Sequence, residues 1–305
     1  MRRKNRKSLA IIALIIGAAL IGFYIHGRPS KTGQPIIQLY LHHQDKVIAM
    51  ELEDYIVGTV AAEMPAAFGI EALKAQAVCA RTYAIKKIIS NTPYPDGADL
   101  SDDITVCQAF VAPFDFAPAN PDRAKLLDKI EEAVESTRGE ILLYDSQPID
   151  ALYCSTCGGR TESASVVWGG RISYLQPVKC NDCIQSQHYQ EEIEIANSTI
   201  LGLVGSHEAQ PKIKILSRTP GGRAQKIDIN GKAIDATALR QKLELPSTWI
   251  EFYPSDKTTT VISRGYGHGV GLCQFGANGM AERGKNYRQI LQRYYQGVTF
   301  YKLGY

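Results

Sequence analysis

An alanine-rich block from Val60 to Ala84, broken once at Met64-Pro65, constrains this chain more than any other segment. Proline disfavours helix in the residue before it. A first helix over Glu53 to Glu63 must therefore stop there and leave Glu63 at its end. A second helix is predicted from Gly69 to Ile89, with Leu73, Ala77, Ala80, Ala84 and Ile88 on one face. Its alanines let another element approach closely, and among them it carries Lys74, Gln76, Arg81 and Tyr83. Most glutamates near helix ends are solvated. Glu63 differs in its neighbours, Val60, Ala61, Ala62, Met64, Ala66, Ala67 and Phe68. Desolvation by such neighbours disfavours the charged carboxylate. A carboxyl kept protonated near neutral pH can donate to a leaving oxygen.

The chain opens Met1-Arg-Arg-Lys-Asn-Arg-Lys and continues in an almost wholly apolar run from Leu9 to Ile25. That run of 17 residues lies at the lower edge of the roughly 17–25 needed to span a bilayer. A cleaved signal peptide is the competing reading, but the run exits through Phe23-Tyr24-Ile25-His26 and not through small residues. The basic flank keeps the tail in the cytoplasm. The expected layout is a cytoplasmic tail over 1–7, a transmembrane signal anchor over 8–27, a linker over 28–35 and an extracytoplasmic domain over 36–305. Formal net charge is +3, and the first seven residues carry five basic groups, so the remainder is close to neutral. A nucleic-acid binder needs a basic face to replace counterions, and this composition argues against one.

Ile36–Leu41 and Val47–Leu52 read as a β-hairpin. Ser90 to Asn120, rich in proline and aspartate, reads as a surface excursion, and an amphipathic helix follows from Pro121 until Gly139. Strands are predicted at Glu140–Tyr144 and Ile149–Tyr153. Residues 191–234 read as a candidate inserted subdomain with short strands, Ala236–Leu243 as a short helix, and the C-terminus as a glycine-rich loop followed by two helices. Strands and helices intermix without βαβ regularity, which gives the α+β class: one N-terminal transmembrane helix, then a mixed α+β catalytic domain.

Three blocks carry a resemblance. The first is Ala62-Glu-Met-Pro, Glu71-Ala-Leu-Lys-Ala-Gln-Ala-Val and Ala80-Arg-Thr-Tyr-Ala. The second is Tyr153-Cys-Ser-Thr-Cys-Gly-Gly-Arg-Thr-Glu162, followed by Val167-Trp-Gly. The third is Gly265-Tyr-Gly-His-Gly-Val-Gly-Leu-Cys-Gln-Phe-Gly-Ala277. In this order they resemble the stage II sporulation protein D and amidase-enhancer family of bacterial cell-wall metabolism, over about Ile36 to Tyr301. The resemblance implies a lytic transglycosylase that cuts the MurNAc-GlcNAc β-1,4 bond of peptide-stripped glycan strands, in septal wall thinning and engulfment during sporulation. It places Glu63 as catalytic acid and Arg81, Tyr83 and Gln76 beside the groove. Ser155, Thr156, Gly158, Gly159, Thr161 and Glu162 would supply hydroxyls and amides to a sugar. Trp168 would supply a stacking face, and His268 and Gln274 would orient the substrate or the Glu63 carboxyl. A non-catalytic, wall-binding amidase enhancer is the alternative. The implied partners are peptidoglycan, a peptide-removing amidase, a membrane scaffold protein and, through the anchor, the membrane itself.

A glycosidase normally needs two carboxylates, whereas a lytic transglycosylase needs one, which fits a chain with one strong acid candidate. No cofactor is expected for the chemistry. Against the family pattern, Cys154 stands in place of histidine and Cys157 in place of serine, and Cys180-Asn-Asp-Cys183 follows. Two Cys-x2-Cys pairs read as a structural zinc site of Cys154, Cys157, Cys180 and Cys183, with two disulfides as the alternative. Cys79 and Cys273 read as small buried residues. Some relatives have a further Cys/His cluster before a Cys-Gln-x-Tyr motif, of which only Cys107 survives here, in Cys107-Gln-Ala-Phe110.

Overall fold

The computed structural model describes residues 33–91, 94–170 and 172–305. They form two compact units, one of residues up to Ala151 with Gly297–Tyr305, the other Leu152–Gln296. Both mix helices and strands, in line with the α+β expectation. The transmembrane helix is a correction: among the described residues no helix is long and apolar enough to cross a membrane. The segments expected as tail and anchor, 1–7 and 8–27, lie outside the described residues. The single-pass cell-membrane localisation rested on that helix and has no support among the described residues.

In the first unit, β1 (Ile36–Leu41) and β2 (Lys46–Glu51) form the expected hairpin, in register from Ile36 opposite Glu51 to Leu41 opposite Lys46. β3 (Leu100–Ser101) adds to β1 in parallel. Helix α1 (Leu52–Glu63) has Glu53 and Asp54 in its first turn, where the helix dipole favours acids. Its C-cap Met64 turns extended just before Pro65. Helix α2 (Ile70–Ile89) is buried along most of its length, with Leu73, Ala77, Ala80 and Ala84 inaccessible to solvent. The alanines let α1, α3 (Arg123–Ser136) and β4 (Glu140–Tyr144) all pack against it. β4 lies between β5 (Gln147–Pro148) and β14 (Thr299–Lys302). The predicted strand Ile149–Tyr153 is not one element. β5 ends at Pro148: the Ile149 amide still donates to the Leu142 carbonyl, but the Leu142 amide turns to the Thr82 hydroxyl, and β6 (Tyr153–Cys154) begins a different sheet.

In the second unit, β6 pairs in parallel with β13 (Leu272–Cys273), bringing Cys154 level with Cys273. A short helix α4 (Ala164–Trp168) follows the second sequence block. Strands β7 (Glu191–Ala196), β11 (Ile250–Pro254) and β12 (Thr258–Ser263) form one sheet. β8 (Ile213–Arg218), β9 (Ala224–Ile229) and β10 (Lys232–Asp235) form another. Helix α5 (Asn197–Gly202) packs on β7, and α6 (Ala236–Lys242) packs on β9 and β10. Residues 191–234 do not close on a core of their own. Ile200, Ile227 and Ile229 bury against Leu239, Leu245, Ile250 and Val261, so the apolar cluster runs on to β12. Helices α7 (Gln274–Glu282) and α8 (Tyr287–Tyr294) end the unit, the second opened by a capping box at Asn286 and Gln289.

Candidate functional site

Glu63 is half-buried at the C-terminal end of α1. Its Oε1 accepts a 2.8 Å hydrogen bond from the Ala109 amide, which fixes the carboxyl's orientation. The loop that delivers this amide is fastened along α1 by three further contacts. The Val111 amide donates to the Gly58 carbonyl at 3.3 Å. The Tyr55 hydroxyl donates to Gln108 Oε1 at 3.3 Å. Phe110 stacks on Tyr55 at 5.8 Å between centroids. Gly58 is what lets the loop pass, because a Cβ there would come within 2.3 Å of the Phe110 ring and 2.6 Å of the Val111 carbonyl oxygen. The Cys107-Gln-Ala-Phe110 motif thus serves Glu63 through its backbone. Sequence reasoning missed Ala109, since an amide donor leaves no side-chain signature.

Tyr83 is half-buried on α2 in the same unit. Burial, and then the neighbouring Cys107, Asp150 and Glu63, push its phenol well above its ordinary value. It is therefore a neutral donor at any physiological pH. Asp150, the other carboxylate felt by Tyr83, is held by Lys86 at 2.7 Å.

Arg81 departs from expectation. It is inaccessible to solvent and forks onto Glu53, with Nε–Oε1 at 2.9 Å and Nη2–Oε2 at 2.6 Å. It also donates to the carbonyls of Glu140 and Val134. Burial pushes the Glu53 carboxyl up. The Arg81 charge, its hydrogen bonds, the Tyr305 hydroxyl and the Gly139 amide outweigh that and leave it below its usual value. Arg81 is a core residue that ties α2 to α1, α3 and β4, and no ligand reaches it in this conformation. Gln76 is likewise fully buried, and Lys74 pairs with Glu71 on its own helix.

The second and third sequence blocks meet within the second unit. Their backbones cross at Gly158 and Gly265. Thr156 and Tyr266 exchange amide hydrogen bonds. A Cβ on Gly158, at φ +75°, would lie 2.8 Å from the Arg264 carbonyl carbon. Here too several predicted contacts are structural. Thr156 is buried and bonds Ser186 at 2.6 Å. Thr161 is buried and clasps Val178 through both its amide and its hydroxyl. Glu162 is buried, accepting from the Ser163 amide and the Thr219 hydroxyl. Gln274 is buried at the start of α7.

The residues left with reachable surface are Ser155, Gly159, Trp168 and His268. Trp168 is 55% exposed and meets the His268 ring edge-on at 5.0 Å. Burial first, then the charges of Arg223 and Arg240, hold His268 down to about 4. Its Nδ1 accepts from the Val270 amide at 3.0 Å, and the ring also bonds the Tyr153 backbone. His268 is therefore a neutral imidazole. A groove of about 520 Å³ opens beside it, lined by Arg223, Arg240, Gln241 and Thr248 among others. Sequence reasoning missed Arg223, which is buried, donates to the Cys157 and Arg160 carbonyls and stacks on Trp249.

Four cysteine sulfurs, of Cys157, Cys180, Cys183 and Cys273, gather within 4.8 Å of one another. Cys154 is not among them. This corrects the expected ligand set of Cys154, Cys157, Cys180 and Cys183. Cys154 lies in extended β6, so no turn curls the 154–157 segment around a single ion, whereas β13 carries Cys273 in alongside.

A family model described as Stage II sporulation protein matches residues 40–144. A "Stage II sporulation protein D" of Bacillus subtilis (strain 168) is 38% identical over 281 residues, covering 89% of this chain and 81% of that protein. A "Stage II sporulation protein D" of Bacillus amyloliquefaciens is 36% identical over 275 residues, 88% of this chain and 80% of its own length. An "Amidase enhancer" of Bacillus subtilis (strain 168) is 26% identical over 298 residues, 79% of this chain but 39% of its own.

Proposed function

Because the chain belongs to the stage II sporulation protein D family, we propose that it is a lytic transglycosylase of peptidoglycan, with Glu63 as its single acid and base. The observation that carries this reading is the Glu63 carboxyl itself, held by a backbone amide at 2.8 Å beside a neutral tyrosine. Asp150, the other carboxylate whose charge acts on Tyr83, is engaged by Lys86. That favours a reaction needing one carboxyl over the two-carboxylate hydrolysis scheme.

In the proposed reaction Glu63 donates its proton to the glycosidic oxygen as the bond to the muramic acid C1 breaks. The C6 hydroxyl of the same sugar then closes on C1 and returns its proton to the carboxylate. The product is a 1,6-anhydro end, no water is consumed and Glu63 is regenerated. In this reading the Tyr83 hydroxyl, which neighbours Cys107, donates to a sugar oxygen. In the second unit Trp168 offers a pyranose face and His268, as a neutral ring, supports it. The substrate is a glycan strand stripped of stem peptides, so an amidase would act first, and the proposed setting is septal wall thinning and engulfment. A membrane scaffold protein of that machinery is the other proposed partner.

The test is mass analysis of products from purified peptide-free glycan strands, with the full chain and its Glu63→Ala variant. Anhydro ends, lighter by one water than hydrolysed ends and absent with the variant, are expected. Ordinary reducing ends would make the protein a hydrolase. Glycan binding without cleavage, also in the presence of the amidase, would favour the activity for which the 26%-identical relative is named.

A further inference from the structure

We infer that Cys157, Cys180, Cys183 and Cys273 bind one zinc ion in a closed, structural tetrathiolate site. Zinc bound tetrahedrally by thiolates has Zn–S bonds of about 2.3 Å, which sets roughly 3.8 Å between sulfurs. The Cys157 and Cys183 sulfurs lie 3.7 Å apart. All four sulfurs fall within 4.8 Å of one another, and all four residues are buried. A disulfide would need about 2.05 Å between paired sulfurs, and the cluster is not resolved into pairs.

The surroundings supply what four thiolates require. Cys273 Sγ accepts from the Cys157 and Gly276 amides, each at 3.3 Å. The Tyr294 hydroxyl lies 3.2 Å from Cys180 Sγ. Donors of this kind orient ligands and offset their charge. Helix α7 sits directly on the cluster. A Cβ on Gly276 would come within 2.5 Å of Cys180 Sγ, and one on Gly279 within 2.2 Å of the Asp182 carbonyl oxygen. Arg283, just past α7, pairs with Asp182 between the two knuckle cysteines.

One ion would therefore join three stretches of the second unit: the Cys157 turn, the Cys180–Cys183 turn and the β13–α7 junction, five residues after His268. With four protein ligands the site has no open position for water. Its role is to hold the His268 turn and Gln274 in place, independently of whether Glu63 cleaves glycan.

The experiment is elemental analysis of the full chain, purified under reducing conditions from zinc-supplemented medium, with Cys273→Ser and Cys154→Ser variants alongside. One zinc per chain is expected in the parent and in Cys154→Ser, and a loss of bound zinc in Cys273→Ser. Cobalt(II) exchanged into the parent should give the visible spectrum of a tetrahedral four-sulfur site. Should Cys273→Ser not fold, the cobalt spectrum of Cys273→His decides the fourth ligand, because a change to three sulfurs and one nitrogen is expected. Zinc lost from Cys154→Ser and kept in Cys273→Ser would overturn the ligand set. A parent that carries no zinc, whether its thiols are reduced or, after purification without reductant, joined in two disulfides, would overturn the site altogether.

Discussion

The Ala109 amide reaches the Glu63 carboxyl at 2.8 Å only because Gly58, more than a turn earlier in α1, leaves room for Phe110. Gly58→Ala sets a methyl 2.6 Å from the Val111 carbonyl oxygen, so the backbone of the loop must shift. Overpacking of this kind costs about 1–3 kcal/mol. The expected outcome is that loss of stability in urea unfolding, together with a fall in glycan cleavage at temperatures where the variant is still folded. Unchanged cleavage by folded Gly58→Ala would show that the Ala109 clamp does not matter to Glu63.

Arg81→Ala should act on stability. It strands Glu53 in the core, and breaking a buried ion pair by removing one partner costs about 3–5 kcal/mol. Replacing both partners, as Glu53→Leu with Arg81→Met, should recover much of the loss. A wild-type unfolding midpoint combined with lost glycan binding would return Arg81 to the groove.

The same pair sets an acid limit. The folded-state value of Glu53 lies below its ordinary one. Its contribution is therefore fully present above the unfolded carboxylate value of about 4.3. It is lost as pH falls below that, through the lowered folded value. Urea midpoints should fall below about pH 4 in the parent, with a flatter acid limb in the Glu53→Leu, Arg81→Met double variant.

Much of the first unit was legible because its signals are local. Pro65 ends α1 and the alanine face of α2 marks a helix wedged among others. What the sequence did not reveal are partners far apart in the chain. Arg81 reads as a groove residue until Glu53, 28 residues earlier, is seen to fork with it. A fixed cation inside a run of buried alanines could have signalled a buried carboxylate. Cys273 was passed over because it lacks a Cys-x2-Cys partner. Only the fold shows it, because β13 carries Cys273 in beside β6. The strand expected at Ile149–Tyr153 failed because apolar composition cannot show where a chain leaves one sheet for another.

His268 carries a further pH prediction. Its folded value of about 4 lies below the ordinary 6.5, so the unfolded chain binds its proton first as pH falls. Between those values the second unit should lose stability on acidification. The imidazole resonances of His268 should titrate near 4 and stay neutral at pH 6. Assignment is by the peak missing from His268→Gln. A midpoint near 6.5 would mean that neither burial nor the Arg223 and Arg240 charges act on the ring.

Trp168 separates binding from folding. Its ring is 55% exposed at the end of α4 and touches His268 by an edge. Substitution of so exposed a side chain usually changes stability by no more than about 0.5 kcal/mol. Trp168→Ala should therefore unfold at the parent's urea midpoint while binding peptide-free glycan several-fold more weakly in calorimetry. Trp168→Phe, which keeps an apolar face, should recover part of the affinity. Equal affinity in all three proteins would remove Trp168 from the sugar-binding surface and leave Tyr266, the other exposed aromatic in the same sequence block as His268, as the next face to test.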